Sequence, residues 1–436
     1  MQVIKYPSRE AWPEILKRPQ QDLGELRRKV QQIIENVRTQ GDSTLIDFAR
    51  HYDKVELDSV LVGIDEWKAA DEIPLKLRDA IETARKNILQ FHKGQKPVEI
   101  MVETTPGVWC WRKALPIQKV GLYIPGGTAP LLSTFLMLAV PAQIAGCSQI
   151  VVCTPPNKEG KVDPAILYIA KQLGITQVFK AGGAQAIAAM AYGTETIPAV
   201  YKIFGPGNRY VTMAKQVVSM DGVAIDLPAG PSEVLVIADG SARPEFLAAD
   251  LLSQAEHGMD SQVMLVLTDE TLIEPVQKAL EEQLQKLPRS RTAQAALEHS
   301  RIILVNDVEE AMELSNAYAP EHLILMTENA GVLAEKVQNA GSVFIGPWSP
   351  ESAGDYASGT NHTLPTNGYA FSYSGVSVES FMKVTSFQRI SPTGIKNLGS
   401  TIMELAAAEG LEAHRMAVQV RLSALKEKTE GNETNG

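Results

Sequence analysis

Val120-Gly121-Leu122-Tyr123-Ile124-Pro125-Gly126-Gly127-Thr128-Ala129-Pro130 is an apolar run, a glycine-proline turn and the entry to a second apolar segment. The run reads as a buried strand, and the segment after the turn as a helix capped by Ser133 or Thr134. The alternation continues downstream. Ile150–Cys153, Gln177–Lys180 and Val200–Phe204 read as strands, separated by helices near Pro164–Leu173 and from Ala184, and followed by Asn208–Val218. Strand, helix, strand at this spacing specifies parallel βαβ units. A second series begins near Glu233, with strands Val234–Ala238, Val263–Leu267, Ile302–Val305, His322–Met326 and Ser342–Ile345 and helical segments between them. The expected class is α/β, with two α/β blocks; periodicity alone allows them to be consecutive, and the expected arrangement is one inserted in the other.

Outward from these blocks, Leu26, Val30, Ile33 and Val37 form one helical stripe, and Leu77, Ile81, Ala84, Ile88 and Phe91 another, with Pro74 at its start. These early helices are expected to pack on the second block. A hairpin is expected from Val98–Glu103 through Pro106-Gly107 to Val108–Trp111. Residues 346–376 are rich in Ser, Gly, Thr, Asn, Tyr and Pro and read as a long functional loop. Ser400 to Leu425 reads as one long helix, and Lys426–Gly436 as a polar tail.

Composition narrows the function. The 436 residues suggest roughly three domains. Net charge is −10, which argues against nucleic acid and anionic membrane as partners. Leu131 to Ala145 is too short and too polar to span a bilayer, and the N-terminus lacks signal or transit character. Three cysteines, an odd number, argue against a disulfide framework and fit a reducing cytoplasm. Cys147 and Cys153 bracket a strand and Cys110 lies between two tryptophans, so all three read as packing residues.

Only seven histidines are present, and four sit in short polar contexts. Imidazole binds zinc and moves protons near neutral pH. Gln254 and His257 lie three apart at the end of a helix starting near Ala242, which places both heads on one side. They read either as two metal ligands or as a polar helix end with His257 capping carbonyls. Glu321 and His322 precede the apolar Leu323–Met326. They read either as an acid–base pair or as a surface acid beside a half-buried imidazole. Asp355 and His362 lie in the long loop, which supplies a hard oxygen and a shaped turn, or is merely solvated. Glu409 and His414, placed on one helix, are about 140° apart in azimuth. They can converge only through long side chains, and otherwise are surface groups. Three strand-to-helix turns, at Tyr123–Pro130, Lys180–Gln185 and Gly205–Asn208, would lie on one sheet edge and present N–H groups to phosphate. None carries the G-x-G-x-x-G dinucleotide pattern.

These stretches together resemble one family. Val120–Gly127, Asp226-Leu227-Pro228-Ala229-Gly230-Pro231-Ser232-Glu233, Gln254-Ala255-Glu256-His257-Gly258, Ala319-Pro320-Glu321-His322-Leu323, Ser358-Gly359-Thr360-Asn361-His362-Thr363-Leu364-Pro365-Thr366 and Glu409-Gly410-Leu411 with Ala413-His414 are similar to histidinol dehydrogenase. The resemblance runs from the early helices to the last one. It implies a zinc-requiring, NAD-linked enzyme that oxidises L-histidinol to L-histidine through the aldehyde. It implies Gln254, His257, Asp355 and His414 as zinc ligands, and Glu321 and His322 as acid–base residues. Ser232, His362 and Glu409, with the zinc ligands and His322, would contact substrate. Tyr123, Gln185 and Asn208 would line the NAD site. Both α/β domains are then incomplete Rossmann-like folds. The implied boundaries are an N-terminal extension 1–19, a discontinuous zinc and substrate domain 20–122 and 234–376, an inserted NAD domain 123–233, and a C-terminal helical domain 377–436. That last domain would complete the active site of the other subunit in a cytoplasmic homodimer. Read from residues alone, a zinc hydrolase of a small amide or ester and a non-catalytic two-lobed binding protein also remain. Dependence on NAD separates the first alternative, and tolerance to loss of Glu321 and His322 the second.

Overall fold

The computed structural model describes residues 1–18, 23–126, 130–228 and 230–433. Its strands, in chain order, are β1 (Gln2–Lys5), β2 (Met101–Thr105), β3 (Val108–Pro116), β4 (Lys119–Tyr123), β5 (Gln149–Thr154), β6 (Val178–Lys180), β7 (Lys202–Phe204), β8 (Ala224–Ile225), β9 (Glu233–Ala238), β10 (Gln262–Leu267), β11 (Arg301–Leu304), β12 (His322–Met326), β13 (Ser342–Ile345) and β14 (Met382–Ile390). The chain divides into two units, residues 1–95 with 117–381, and residues 96–116 with 382–436.

The first unit holds two parallel sheets. One runs β6-β5-β4-β7-β8, the other β1-β11-β10-β9-β12-β13. Leaving out β1, both have the same order: the first strand of the series lies centrally, and the direction of travel reverses after the third. The reversal puts a switch point between β4 and β7 in one sheet and between β9 and β12 in the other. Strands β9, β10 and β12 are buried along their whole length, as continuous apolar runs covered on both faces must be. β1, from the N-terminal extension, adds an edge strand beside β11 that the apolar patterning does not reveal.

The early helices pack differently from expectation. Leu26, Val30, Ile34 and Val37 of the helix Leu23–Gln40 join one core with Ala186, Met190, Ala214 and Val218, from the helices Gly183–Tyr192 and Arg209–Met220. The helix Leu75–Lys93 lies against Leu132–Ala145. Both therefore cover the first α/β block, not the second. The physical reason is the apolar Ala- and Met-rich face that this block leaves toward them.

In the second unit β14, β3 and β2 form an antiparallel sheet, followed by the helices Pro392–Ala408 and Glu412–Glu433, which pack on each other. The expected hairpin is present, turning at Pro106-Gly107, where Gly107 has φ +87°. The C-terminal segment thus contributes a strand as well as helices. The single long helix expected over Ser400–Leu425 is two helices. Gly410, at φ +72°, breaks them, and the Leu411 N–H closes the first by bonding to the Ala406 carbonyl.

Candidate functional site

The centre of the site is the backbone of one residue, Glu233 at the start of β9. Its N–H donates to Glu321 Oε2 at 2.8 Å. Its carbonyl accepts from Gln254 Nε2 at 3.0 Å and faces His322 Nδ1 at 3.1 Å. Gln254 reaches it from the last turn of the helix Pro244–Ala255, His322 from the first position of β12. β9 and β12 are parallel neighbours with His322 opposite Val234. Segments far apart in sequence therefore meet at the N-terminal ends of the two switch-point strands.

Donor chemistry fixes the orientation of each group. A carbonyl only accepts, so His322 carries its proton on Nδ1 toward Glu233, leaving Nε2 as the exchanging nitrogen. Among the described residues His322 Nε2 has no hydrogen-bond partner, and it faces Asp355 Oδ1 at 3.5 Å. Gln254 directs its amide nitrogen at the Glu233 carbonyl and at Glu321 Oε2 (3.3 Å), so its Oε1 is buried with no partner among the described residues. Buried polar atoms are normally satisfied, and an orphan oxygen here is a free ligand.

Asp355 lies on a short helix, Glu351–Tyr356, inside the segment expected to be loop. Glu351, one turn earlier, is fully buried and its Oε1 is also unpartnered. Ligand atoms of His257, Glu351 and Asp355 all fall within 4.8 Å of one another. One imidazole nitrogen and two carboxylates, with the orphan Gln254 amide oxygen nearby in sequence, form the mixed nitrogen and oxygen donor set that suits zinc or a similar dication. The residues present therefore fit a metal. Glu351 carries no histidine-rich motif. Only its i, i+4 spacing from Asp355 signals it in the sequence.

The electrostatics follow from burial. Glu321 is pushed up to about 8 by desolvation, against the pull of His322. Desolvation also raises Glu351 to about 8, and Asp250 beneath it to about 6. Burial works to lower His322, but Glu321, Glu351 and Asp355 outweigh it and lift the imidazole to about 10. Burial raises Asp355, but His322 and the other nearby imidazoles prevail and hold it below the usual carboxylate range. His257 is open to solvent on its outer side, while desolvation of its inner edge holds its pKa down.

His362 is reached from the following loop. Its Nδ1 lies 3.0 Å from the Asp355 carbonyl and its Nε2 lies 2.8 Å from Thr134 Oγ1. Burial lowers its pKa. Thr134 therefore bonds His362 and does not cap its own helix, which begins after Leu131 with no side-chain cap; nor does Ser133. Ser232 is half-buried, and its carbonyl accepts from the Gln262 N–H at 3.1 Å.

The three glycine turns do share one edge, at the C-terminal ends of β4, β6 and β7. Gly127–Ala129 of the first turn, and Ala229 of the Asp226–Glu233 stretch, lie outside the described residues. The Tyr123 hydroxyl accepts the Gly183 N–H at 3.1 Å, and burial pushes it up to about 12. Gln185 is buried in the helix Gly183–Tyr192. Asn208 caps the helix Arg209–Met220, accepting from the Tyr210 and Val211 N–H groups at 3.0 and 3.2 Å. Gly205, at φ +124°, has no room for a side chain, since a Cβ would stand 2.1 Å from the Tyr123 carbonyl oxygen. Beneath this turn Lys215, buried, pairs with Asp226 and donates to the Gly205 carbonyl at 2.9 Å, while Asp226 accepts from the Gly205 and Leu227 N–H groups.

Glu409 and His414 belong to the second unit. Glu409 ends the helix Pro392–Ala408 and His414 stands in the first turn of Glu412–Glu433, both exposed. Because Gly410 separates them, the single-helix azimuth does not apply. The cysteines are unpaired, and burial raises the thiols of Cys147 and Cys153 far above working pH, consistent with packing roles.

Comparison with known proteins identifies relatives across the whole chain. A family model described as histidinol dehydrogenase matches residues 16–422. Histidinol dehydrogenase of Bacteroides thetaiotaomicron is 59% identical over 427 residues, covering 98% of this chain and all of that one. The Escherichia coli protein of that name is 52% identical over 419 residues, covering 95% of this chain and 96% of that one. The crystal structure of histidinol dehydrogenase from Elizabethkingia anophelis superposes with a TM-score of 0.95 at 52% identity, covering 98% of this chain and 99% of that one.

Proposed function

Because the chain belongs to the histidinol dehydrogenase family, an oxidoreductase family of histidine biosynthesis, we propose that it oxidises L-histidinol to L-histidine in two steps through L-histidinaldehyde. The observation that carries the reading is the Glu233-centred cluster. It sets a raised carboxyl and an imidazole with a free nitrogen beside unpartnered metal donors.

Gln254, His257 and Asp355 of one subunit, with His414 of the partner subunit, hold zinc in this reading, and Glu351 stands in the same donor cluster. Zinc, when bound, orients the substrate and offsets the carboxylate field around His322. Tyr123, Gln185 and Asn208 would hold NAD, which would supply the hydride acceptor for each oxidation. With that field offset and the ring neutral, His322 Nε2 would take the alcohol proton in the first step, with its Nδ1–H anchored on the Glu233 carbonyl. Glu321 takes a proton from the water that adds to the aldehyde, and burial makes it a stronger base than an ordinary carboxylate. Ser232, His362 and Glu409 contact substrate.

Assembly as a homodimer is supported by the apolar surface of the second unit, where Val102, Val384, Leu405, Leu411, Met416 and Val420 are exposed. A cytoplasmic location fits three unpaired thiols. Among the described residues no helix is long and apolar enough to cross a membrane. The test mixes purified protein with zinc, L-histidinol and NAD and follows NADH absorbance. Two NADH per histidine are expected, and turnover without NAD would overturn the reading.

A further inference from the structure

Glu233 serves the site with its backbone, so whatever fixes its side chain also fixes the site. That side chain is 3% exposed and is held by Arg18 in a two-pronged pair, Nε to Oε1 at 2.5 Å and Nη2 to Oε2 at 2.9 Å. The Asn367 N–H adds a third bond to Oε1 at 2.8 Å. Arg18 Nη2 also donates to the Tyr318 carbonyl at 2.8 Å, and the guanidinium lies 4.0 Å over the Tyr318 ring. Tyr318 ends the helix that leads through Ala319-Pro320 into Glu321 and His322. Ala319 holds φ +52°, a left-handed conformation that costs free energy in a residue with a Cβ and persists only where the surroundings enforce it. One guanidinium thus grips the start of β9 and the strained turn that delivers β12. A planar fork with five donors suits this task, and an ammonium does not.

We propose that Arg18 is a positioning residue for the reaction. By locking Glu233 and the Tyr318 carbonyl together, it holds Gln254, Glu321 and His322 in mutual register. The proposal rests on Glu321 and His322 being the acid–base residues. It predicts that a residue of the N-terminal segment, remote in sequence from Glu321 and His322, controls kcat.

The experiment compares zinc-loaded R18M, R18K, E233Q and R18M/E233Q with the parent protein. It reads kcat, KM for NAD, zinc content and thermal midpoint, with E321Q and H322N as controls. R18M should lower kcat on the order of 10- to 100-fold, the scale of an ångström-level misplacement, with KM for NAD changed less than about twofold. R18K keeps the charge without the fork and should fall between, which also serves if R18M folds poorly. R18M strands a buried carboxylate, so its midpoint should drop, and R18M/E233Q should regain much of that midpoint because the stranded charge is gone. Its kcat should stay low. Recovery of kcat along with the midpoint would show a purely structural role and overturn the proposal. So would full kcat in R18M while E321Q and H322N are impaired. Full kcat in E321Q and H322N would instead overturn the acid–base assignment beneath it.

Discussion

Replacing Lys215 by Met separates the stability of the Gly205–Asn208 turn from its proposed part in NAD binding. Lys215 and Asp226 have side chains 4% and 0% exposed, so removing the ammonium leaves a carboxylate with no access to water. Breaking one partner of a buried pair costs about 3–5 kcal/mol. Asp226 keeps two N–H donors, from Gly205 at 2.8 Å and Leu227 at 2.7 Å, and such charge-assisted bonds already hold part of the charge. The loss should therefore sit near the lower end, about 3 kcal/mol, which is about 6 °C in thermal midpoint at about 2 °C per kcal/mol for a large domain. Lys215→Met with Asp226→Asn removes both charges, so the double variant should lose less than the two single losses added. The Gly205 carbonyl also loses its donor, and the turn ending at Asn208 should loosen, raising KM for NAD while zinc affinity holds. Calorimetric scans and initial rates at varied NAD are the assays. An unchanged midpoint, or strictly additive single and double variants, would refute the reasoning.

His257→Ala should lower zinc content and activity together while the fold survives; full zinc by elemental analysis would remove His257 from the ligand set. Glu321→Gln should retain alcohol oxidation better than conversion of added aldehyde, and His322→Ala should show the reverse, so equal loss of both half-reactions would refute that division of labour. Subunit exchange between inactive His322→Ala and inactive His414→Ala should restore about one intact site per heterodimer if sites are shared between chains. No recovery, with heterodimers seen by native mass spectrometry, would show His414 acting in its own chain. Asp250 is raised to about 6, so the stability it contributes is fully present below its unfolded value and is lost as pH rises through about 6. Asp250→Asn should abolish that loss, up to about 3 kcal/mol, and flatten the midpoint between about pH 4 and 7. An unaltered pH profile would show that Asp250 is already paired.

The central strands of the two parallel sheets were legible because they are largely buried on both faces, whereas the edge strands β1 and the two-residue β8, exposed or half-buried, were not. Runs such as Val234-Leu235-Val236-Ile237-Ala238 leave little else to be, and the predicted limits fall within about two residues of those observed. β14 was not legible. Its nine residues are mostly exposed, and it becomes a strand only by pairing with β3, about 270 residues earlier. The helix break at Gly410 was hidden by apolar residues spaced acceptably on both sides. The histidines and Gln254 stood out through their polar settings, and the cluster that joins Gln254, His257, Glu321, His322, Asp355 and His362 gathers most of them. Glu351, Arg18 and Thr134 were missed for one reason. Each looks ordinary where it stands, as a helix-start acid, a surface base or a cap, and its partner lies in a remote segment.

The chain Thr134–His362–Asp355 has a mechanical consequence. Thr134 belongs to the helix that follows the first glycine turn, while the Asp355 carbonyl belongs to the candidate donor cluster, so His362 acts as a strut between the two segments. Hydride transfer tolerates little change in donor-to-acceptor spacing. With the ring neutral, as its burial favours, both ends of the strut are uncharged hydrogen bonds, hydroxyl to Nε2 and Nδ1–H to carbonyl. Dissolved ions screen charge pairs and leave such bonds alone. The link between these two segments is thereby insulated from the ionic strength of the surrounding solution.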